Sequence, residues 1–128
     1  MQEYMLRILN KGDHQKKWTA AKHKEFVQKC EVYIRDLQKA GKLIAAQPLR
    51  KRGLTLVKSG LKWKTTPLKL TTEMQVGYYH IRASDVNDAI EIAKGNPEFE
   101  YSKTARVEIR PITEGEESTG FDYPTSSL

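Results

Sequence analysis

Residues 77–112, GYYHIRASDVNDAIEIAKGNPEFEYSKTARVEIRPI, change hydrophobic period twice, and this constrains the fold more than any other feature of the chain. Residues 76–82 alternate and are rich in aromatic and β-branched side chains, which predicts a half-buried strand. Tyr79 and Ile81 fall on one face of it, with Tyr78, His80 and Arg82 on the other. Ser84 is placed to cap a following helix, and Asp85 suits the positive end of that helix. Val86, Ala89, Ile90 and Ala93 then recur at helical spacing. Lys94-Gly95 marks a stop, because glycine takes the left-handed conformation that ends helices. Asn96-Pro97 predicts a turn, and residues 104–110 alternate again with Ala105, Val107 and Ile109 facing one way. The segment is a strand–helix–strand unit.

The first half repeats this plan. Residues 3–10 alternate, with Tyr4, Leu6 and Ile8 opposite Met5, Arg7 and Leu9. After a polar loop, Thr19 is placed as an N-cap. Phe26, Val27, Cys30, Tyr33, Ile34, Leu37 and Ala40 form one stripe of an amphipathic helix that ends at Gly41. Residues 43–46 make a short strand. Residues 54–57 and 61–64 flank Lys58-Ser59-Gly60 and read as a hairpin in which glycine supplies the positive φ. The order strand–helix–strand, hairpin, strand–helix–strand predicts an α+β fold of the ferredoxin-like split βαβ type with an inserted hairpin. The domain spans residues 1–112. Residues 113–128 are a polar, acidic tail expected to be disordered.

A chain of 128 residues buries one modest core. No apolar run approaches the roughly 20 residues needed to cross a bilayer, and residues 1–13 lack a signal-peptide pattern. A single cysteine excludes an intrachain disulfide and suits a reducing compartment. A cytoplasmic location without membrane association is therefore expected. No phosphate loop, cofactor motif or nucleophile–base pair is evident, and no cofactor is expected. His14 and His23 have no cysteine or histidine partner at metal-ligand spacing, so no metal site is expected.

Gly77-Tyr78-Tyr79, Asp88-Ala89-Ile90-Glu91 and the run from Val107 to Ile112 resemble the YCII-related family, in particular its DGPF branch. The helix ending Ala40-Gly41-Lys42-Leu43 is similar to the family's first helix and second strand. The resemblance covers roughly residues 3–112. It implies a ferredoxin-like fold that pairs as a dimeric α+β barrel, hence a homodimer, with biochemistry mostly unassigned. Some relatives carry a histidine in or near a proposed active cleft. Two departures stand out. The Asp-Gly-Pro-Phe segment aligns with Thr65-Thr66-Pro67-Leu68, which keeps the proline alone, and the family's histidine on its first helix aligns with Cys30.

Arg7, Tyr78, His80, Arg82 and Arg110 all avoid the apolar faces of their strands, as do Arg106 and Glu108. In a dimeric barrel their shared face becomes the interior. One reading is a cleft for a small anion gripped by arginine. The other is a cross-strand network of ion pairs with Glu108. His80 is the candidate general base, since imidazole titrates near neutrality. Binding of a small carboxylate- or phosphate-bearing molecule in that cleft, with or without weak lyase- or isomerase-like chemistry, is the leading function. Cys30 lies within the apolar stripe and reads as a core thiol.

Charge is strongly uneven. Residues 1–70 carry 17 Lys and Arg against 5 Asp and Glu, whereas residues 71–128 carry 5 against 11. The hairpin places Lys58, Lys62 and Lys64 around Trp63, an arrangement able to follow a phosphate backbone and stack a base. No recognised nucleic-acid motif accompanies it. The alternative function is a nonenzymatic module that binds protein or nucleic acid through this hairpin. The asymmetry also suits an acidic tail packed on the basic hairpin of its own chain or of a dimer mate.

Overall fold

The computed structural model describes residues 1–124. In chain order these form β1 (Gln2–Lys11), α1 (Ala20–Lys39), β2 (Leu43–Pro48), β3 (Leu54–Ser59), β4 (Lys62–Pro67), β5 (Glu73–Ala83), α2 (Val86–Lys94), α3 (Pro97–Tyr101), β6 (Arg106–Pro111), β7 (Gly115–Glu116) and β8 (Phe121–Asp122). Four strands make one sheet in the order β2-β5-β1-β6, with every neighbouring pair antiparallel. β1 and β2 are therefore parallel with β5 between them, and β5 and β6 are parallel with β1 between them. This is the expected α+β, ferredoxin-like split βαβ arrangement. The inserted hairpin β3–β4 is a sheet of its own.

Alternation decides which side of the sheet is buried. Tyr4, Leu6 and Ile8 of β1 join Tyr79, Ile81 and Ala83 of β5 beneath Leu37 of α1 and Ala89, Ile92 and Ala93 of α2. Leu6 and Ile81 are completely buried. Each such side chain contributes about 1.5–3 kcal/mol through area removed from water.

Local chemistry sets the helix ends. Thr19 Oγ1 accepts a hydrogen bond from Lys22 N at 3.1 Å, as an N-cap should. α1 closes at Gly41, where φ is +70°, with Gly41 N donating to Gln38 O and Lys42 N to Leu37 O. At α2 the cap is Asp85 rather than Ser84. Asp85 Oδ1 accepts from Asp88 N, and Asp88 reaches back to Ser84 N, both at 2.9 Å. Ile92 takes the core position expected of Val86, which is exposed. Gly95 ends α2 with φ −78°, so it does not adopt the left-handed conformation. Its value there is space, because a Cβ would stand 3.2 Å from the Tyr33 ring. Asn96-Pro97 starts α3 instead of making a simple turn. Asn96 Oδ1 accepts from Glu98 N, and proline suits the first helical position.

One irregularity positions the site. The β1–β5 register slips between Ile8 and Leu9, so Ile8 faces Gly77, Leu9 faces Gln75, and Val76 is left over as a bulge. Val76 O accepts from Leu49 N just beyond β2. Ile8, Leu9 and Asn10 are all buried in succession. Within the segment expected to be a disordered tail, β7 and β8 pair as a small hairpin, and residues 125–128 lie outside the described ones. Among the described residues no helix is long and apolar enough to cross a membrane.

Gly77 is needed for close approach. A Cβ there would meet Gln47 O at 3.1 Å and Pro48 Cα at 3.4 Å, both backbone atoms of the edge strand. Gly77→Ala is expected to lower unfolding stability by about 1–3 kcal/mol in urea titrations. Gly53→Ala presses only on the flexible Leu68 side chain and should cost under about 0.5 kcal/mol.

Candidate functional site

The sheet face turned away from the helices carries the residues expected to hold an anion. Register places Arg7 between Tyr78 and Glu108, and Met5 between His80 and Arg110, while Arg82 lies opposite Glu3. Much of this charge is already matched. Arg7 pairs with Glu108 and also donates through Nε to Gln75 Oε1 at 2.9 Å. His80 Nε2 lies 2.7 Å from Glu3 Oε1, with both side chains largely covered. Tyr78 faces Gln47 across the β2 edge. Arg82 and Arg110 make no ion pair among the described residues, and Arg110 is exposed. The face brings the five residues together, with Arg7 and His80 each committed to a carboxylate.

A different constellation lies on the helix side. A cavity of about 390 Å³ opens between α1 and the sheet. Its walls are mainly apolar, from Ile8, Phe26, Val27, Ile34, Val76 and Tyr79, with Cys30 among them. The bulge at Val76 and the small Gly77 leave this room under the first half of α1. An aromatic cluster pins the start of that helix. Trp18, Phe26 and Tyr101 stack with ring centroids 5.2–5.6 Å apart, tying α1 to α3.

Polar groups enter the cavity at one end. Glu98, from the first turn of α3, is 6 % exposed, and Asn10 Nδ2 donates to its Oε1 at 3.0 Å. Asn10 is completely buried and accepts from Thr104 Oγ1 and from Lys11 N. His14 Nε2 stands 2.7 Å from the same Glu98 oxygen, and its Nδ1 lies 2.8 Å from Lys11 O. Because a carbonyl only accepts, Nδ1 carries a proton. A bare lone pair on Nε2 would then face a carboxylate at 2.7 Å, which is repulsive. The Nε2–Glu98 contact is close but poorly aligned for a hydrogen bond, which leaves this buried nitrogen without a directed partner. An imidazole nitrogen and a carboxylate this close in an apolar wall are the residue types that general acid–base chemistry uses. Gln15, His23 and Lys51 border both this cavity and a shallower groove beside Trp18 and Leu70.

Cys30 and the two tyrosines behave differently. Burial, reinforced by the charge of Glu98, pushes the Cys30 thiol up from 9.0 to about 11. The thiol is therefore neutral at physiological pH and a poor nucleophile. Burial also raises Tyr33 and Tyr79, and the Tyr33 hydroxyl donates to Ile92 O at 2.6 Å. Among the described residues no group of three or more His, Cys, Asp or Glu is arranged to hold a metal ion.

Sequence reasoning passed over Glu98 and Asn10, and weighed His14 only as a metal ligand. Glu98 lies in an acidic run, NPEFEY, that reads as wet surface. Two signals were available. Asn10 continues the core face of β1, where a polar side chain needs partners. Asn96-Pro97 is a helix start, which puts Glu98 in a first turn near the sheet.

The four-stranded sheet, its two long helices and the cavity between α1 and the sheet define an α+β domain of the ferredoxin-like type. Comparison with protein families matches the YCII-related domain over residues 3–113, and the chain belongs to that family. A comparison with curated proteins found no match.

The thiol generates a test. The unfolded chain ionises Cys30 near pH 9 while the folded chain holds its proton to about 11. The folded state thus binds more protons in that window, and stability falls as pH rises through it. Urea midpoints measured from about pH 8 to 11 should show this decline, and Cys30→Ala should remove the cysteine component.

Proposed function

We propose that this chain binds a small molecule in the cavity beneath α1 and exchanges a proton with it through the His14–Glu98 pair. The ligand has an apolar body and an acidic or enolisable end, and the chemistry is isomerase- or lyase-like. One observation carries the reading: a buried carboxylate and a buried imidazole nitrogen 2.7 Å apart on the wall of an apolar cavity. Cavities of this size suit small ligands. Lys51 at the mouth supplies positive charge for an anionic end, with His23 beside it as a hydrogen-bonding group. Within the family, the wording of residues 77–112 favours the DGPF branch.

Arg82 and Arg110 support a second reading, in which the open sheet face holds a small carboxylate or phosphate beside the Glu3–His80 pair. A second copy covering that face would enclose it as a barrel interior.

Labelled protein titrated with a panel of small carboxylic acids, inorganic phosphate and enolisable ketones separates the two. NMR shifts centred on His14, Cys30 and Val27 are expected. Shifts confined to His80, Arg82 and Arg110 would move the site to the open face, and silence at both would sink ligand binding with this panel's chemistry.

Glu98→Gln keeps an acceptor for Asn10 and removes the carboxyl group that would take up and return a proton. Solvent deuterium exchange into a bound enolisable ligand should fall at least about 100-fold, with affinity changed by less than about tenfold. Unchanged exchange would overturn the acid–base role. Glu98→Ala also strips the buried Asn10 Nδ2 of its acceptor and should cost about 1–3 kcal/mol of stability by urea denaturation.

A further inference from the structure

The arm formed by β3 and β4 is exposed at every residue. Its register puts Leu54, Leu56 and Trp63 on one face, opposite Pro67, Thr65 and Lys58 respectively. These apolar side chains are 59–67 % exposed, and the Lys58 ammonium lies 5.2 Å from the Trp63 ring. A two-stranded ribbon with apolar side chains in water is marginal by itself and gains from a cover. Residues 49–70 carry seven Lys and Arg and no Asp or Glu.

The C-terminal hairpin has the opposite character. Residues 113–124 carry Glu114, Glu116, Glu117 and Asp122 and no Lys or Arg. Phe121 and Tyr123 stack edge to face at 5.1 Å and are about half exposed. Each hairpin thus combines exposed aromatic surface with one sign of charge, and the signs are complementary.

Topology separates the two within one chain. The arm follows β2 and the tail follows β6, the two edge strands of the sheet. These edges run antiparallel, so the chain leaves the sheet at diagonally opposite corners and in opposite directions. From strand and residue spacings the corners are about 20 Å apart. Among the described residues no hydrogen bond or ion pair joins the hairpins.

We infer that the basic arm of one copy grips the acidic C-terminal hairpin of a second copy, reciprocally, about a two-fold axis. Such a pairing satisfies both hairpins at once, because an isologous interface repeats each contact. Trp63, Leu54 and Leu56 meet Phe121 and Tyr123 with Lys58 beside them, while Lys62 and Lys64 on the other face of the thin ribbon reach round to the tail's carboxylates.

Charge reversal tests this. One variant carries Lys58→Glu, Lys62→Glu and Lys64→Glu, and a second carries Glu114→Lys, Glu116→Lys and Glu117→Lys. All six positions are exposed, and circular dichroism verifies the fold. Sedimentation equilibrium should show the dimer dissociation constant raised at least about tenfold in each variant alone. An equimolar mixture should recover wild-type affinity, since each arm then faces a tail of opposite sign. A chain carrying both sets should recover too.

Three outcomes overturn the inference. The first is a wild-type chain that stays monomeric, or variants that dimerise unchanged. The second is recovery in the doubly reversed chain but not in the mixture, which marks a contact within one chain. The third is arm reversal that abolishes binding of an oligonucleotide while leaving dimerisation intact, which makes nucleic acid the occupant.

Discussion

The pairing of β1 with β5 is the constraint on which the rest of this structure depends. Both strands are central, so β2 hangs on β5 and β6 hangs on β1. Their register fixes which alternate residues reach the helices, and a slip of one residue would turn Leu6 and Ile81 out to solvent. The same pairing contains the Val76 bulge, which adds twist and redirects the strand ends. Beyond the bulge the usual in–out alternation gives way to three buried residues in succession, ending at Asn10.

Asn10 is the hinge between fold and chemistry. It is a core position filled by an amide, and it is stable there because its partners are supplied from Lys11, Thr104 and Glu98. A buried carboxylate such as Glu98 is costly unless it is bonded or protonated. Asn10 Nδ2 supplies such a bond, and His14 stands close beside it. The arrangement brings a carboxylate and an imidazole close together at the edge of an apolar space. On the opposite face, Arg7–Glu108 and His80–Glu3 are matched across neighbouring strands. Such pairs hold strands in register and leave less charge for a ligand.

Much of the fold was legible from local patterning. The alternations at Tyr4-Leu6-Ile8 and Tyr79-Ile81, the Thr19 cap and the Gly41 stop each depend on neighbours within a few residues. The hairpin turn was equally readable, and Gly60 does take a positive φ of 61°. The faces of β5 were assigned as observed, which placed His80 and Arg82 away from the core. What escaped was the meeting of His14 with Glu98, two groups on different elements that the period of neither reveals. The α2 cap shifted by one residue because Ser84 and Asp85 are both competent, and Asp88 engages both. Gly95 was assigned a dihedral role, whereas the packing of Tyr33 requires only its lack of a side chain.

α1 has 20 residues, yet Leu37 near its C-terminal end is its one buried side chain among the described residues. The first half of the helix is braced at its start by Trp18 and stands off the sheet over the cavity. The hydrophobic layer beneath it is thus left unfinished by the chain itself. An occupant of that space would serve as a missing piece of the protein interior, and its binding energy would be counted directly in the helix's resistance to opening. Amide exchange along residues 20–30 would then slow on ligation while β1 and β5 stay as they were, so that occupancy reads out as local order in one half of one helix.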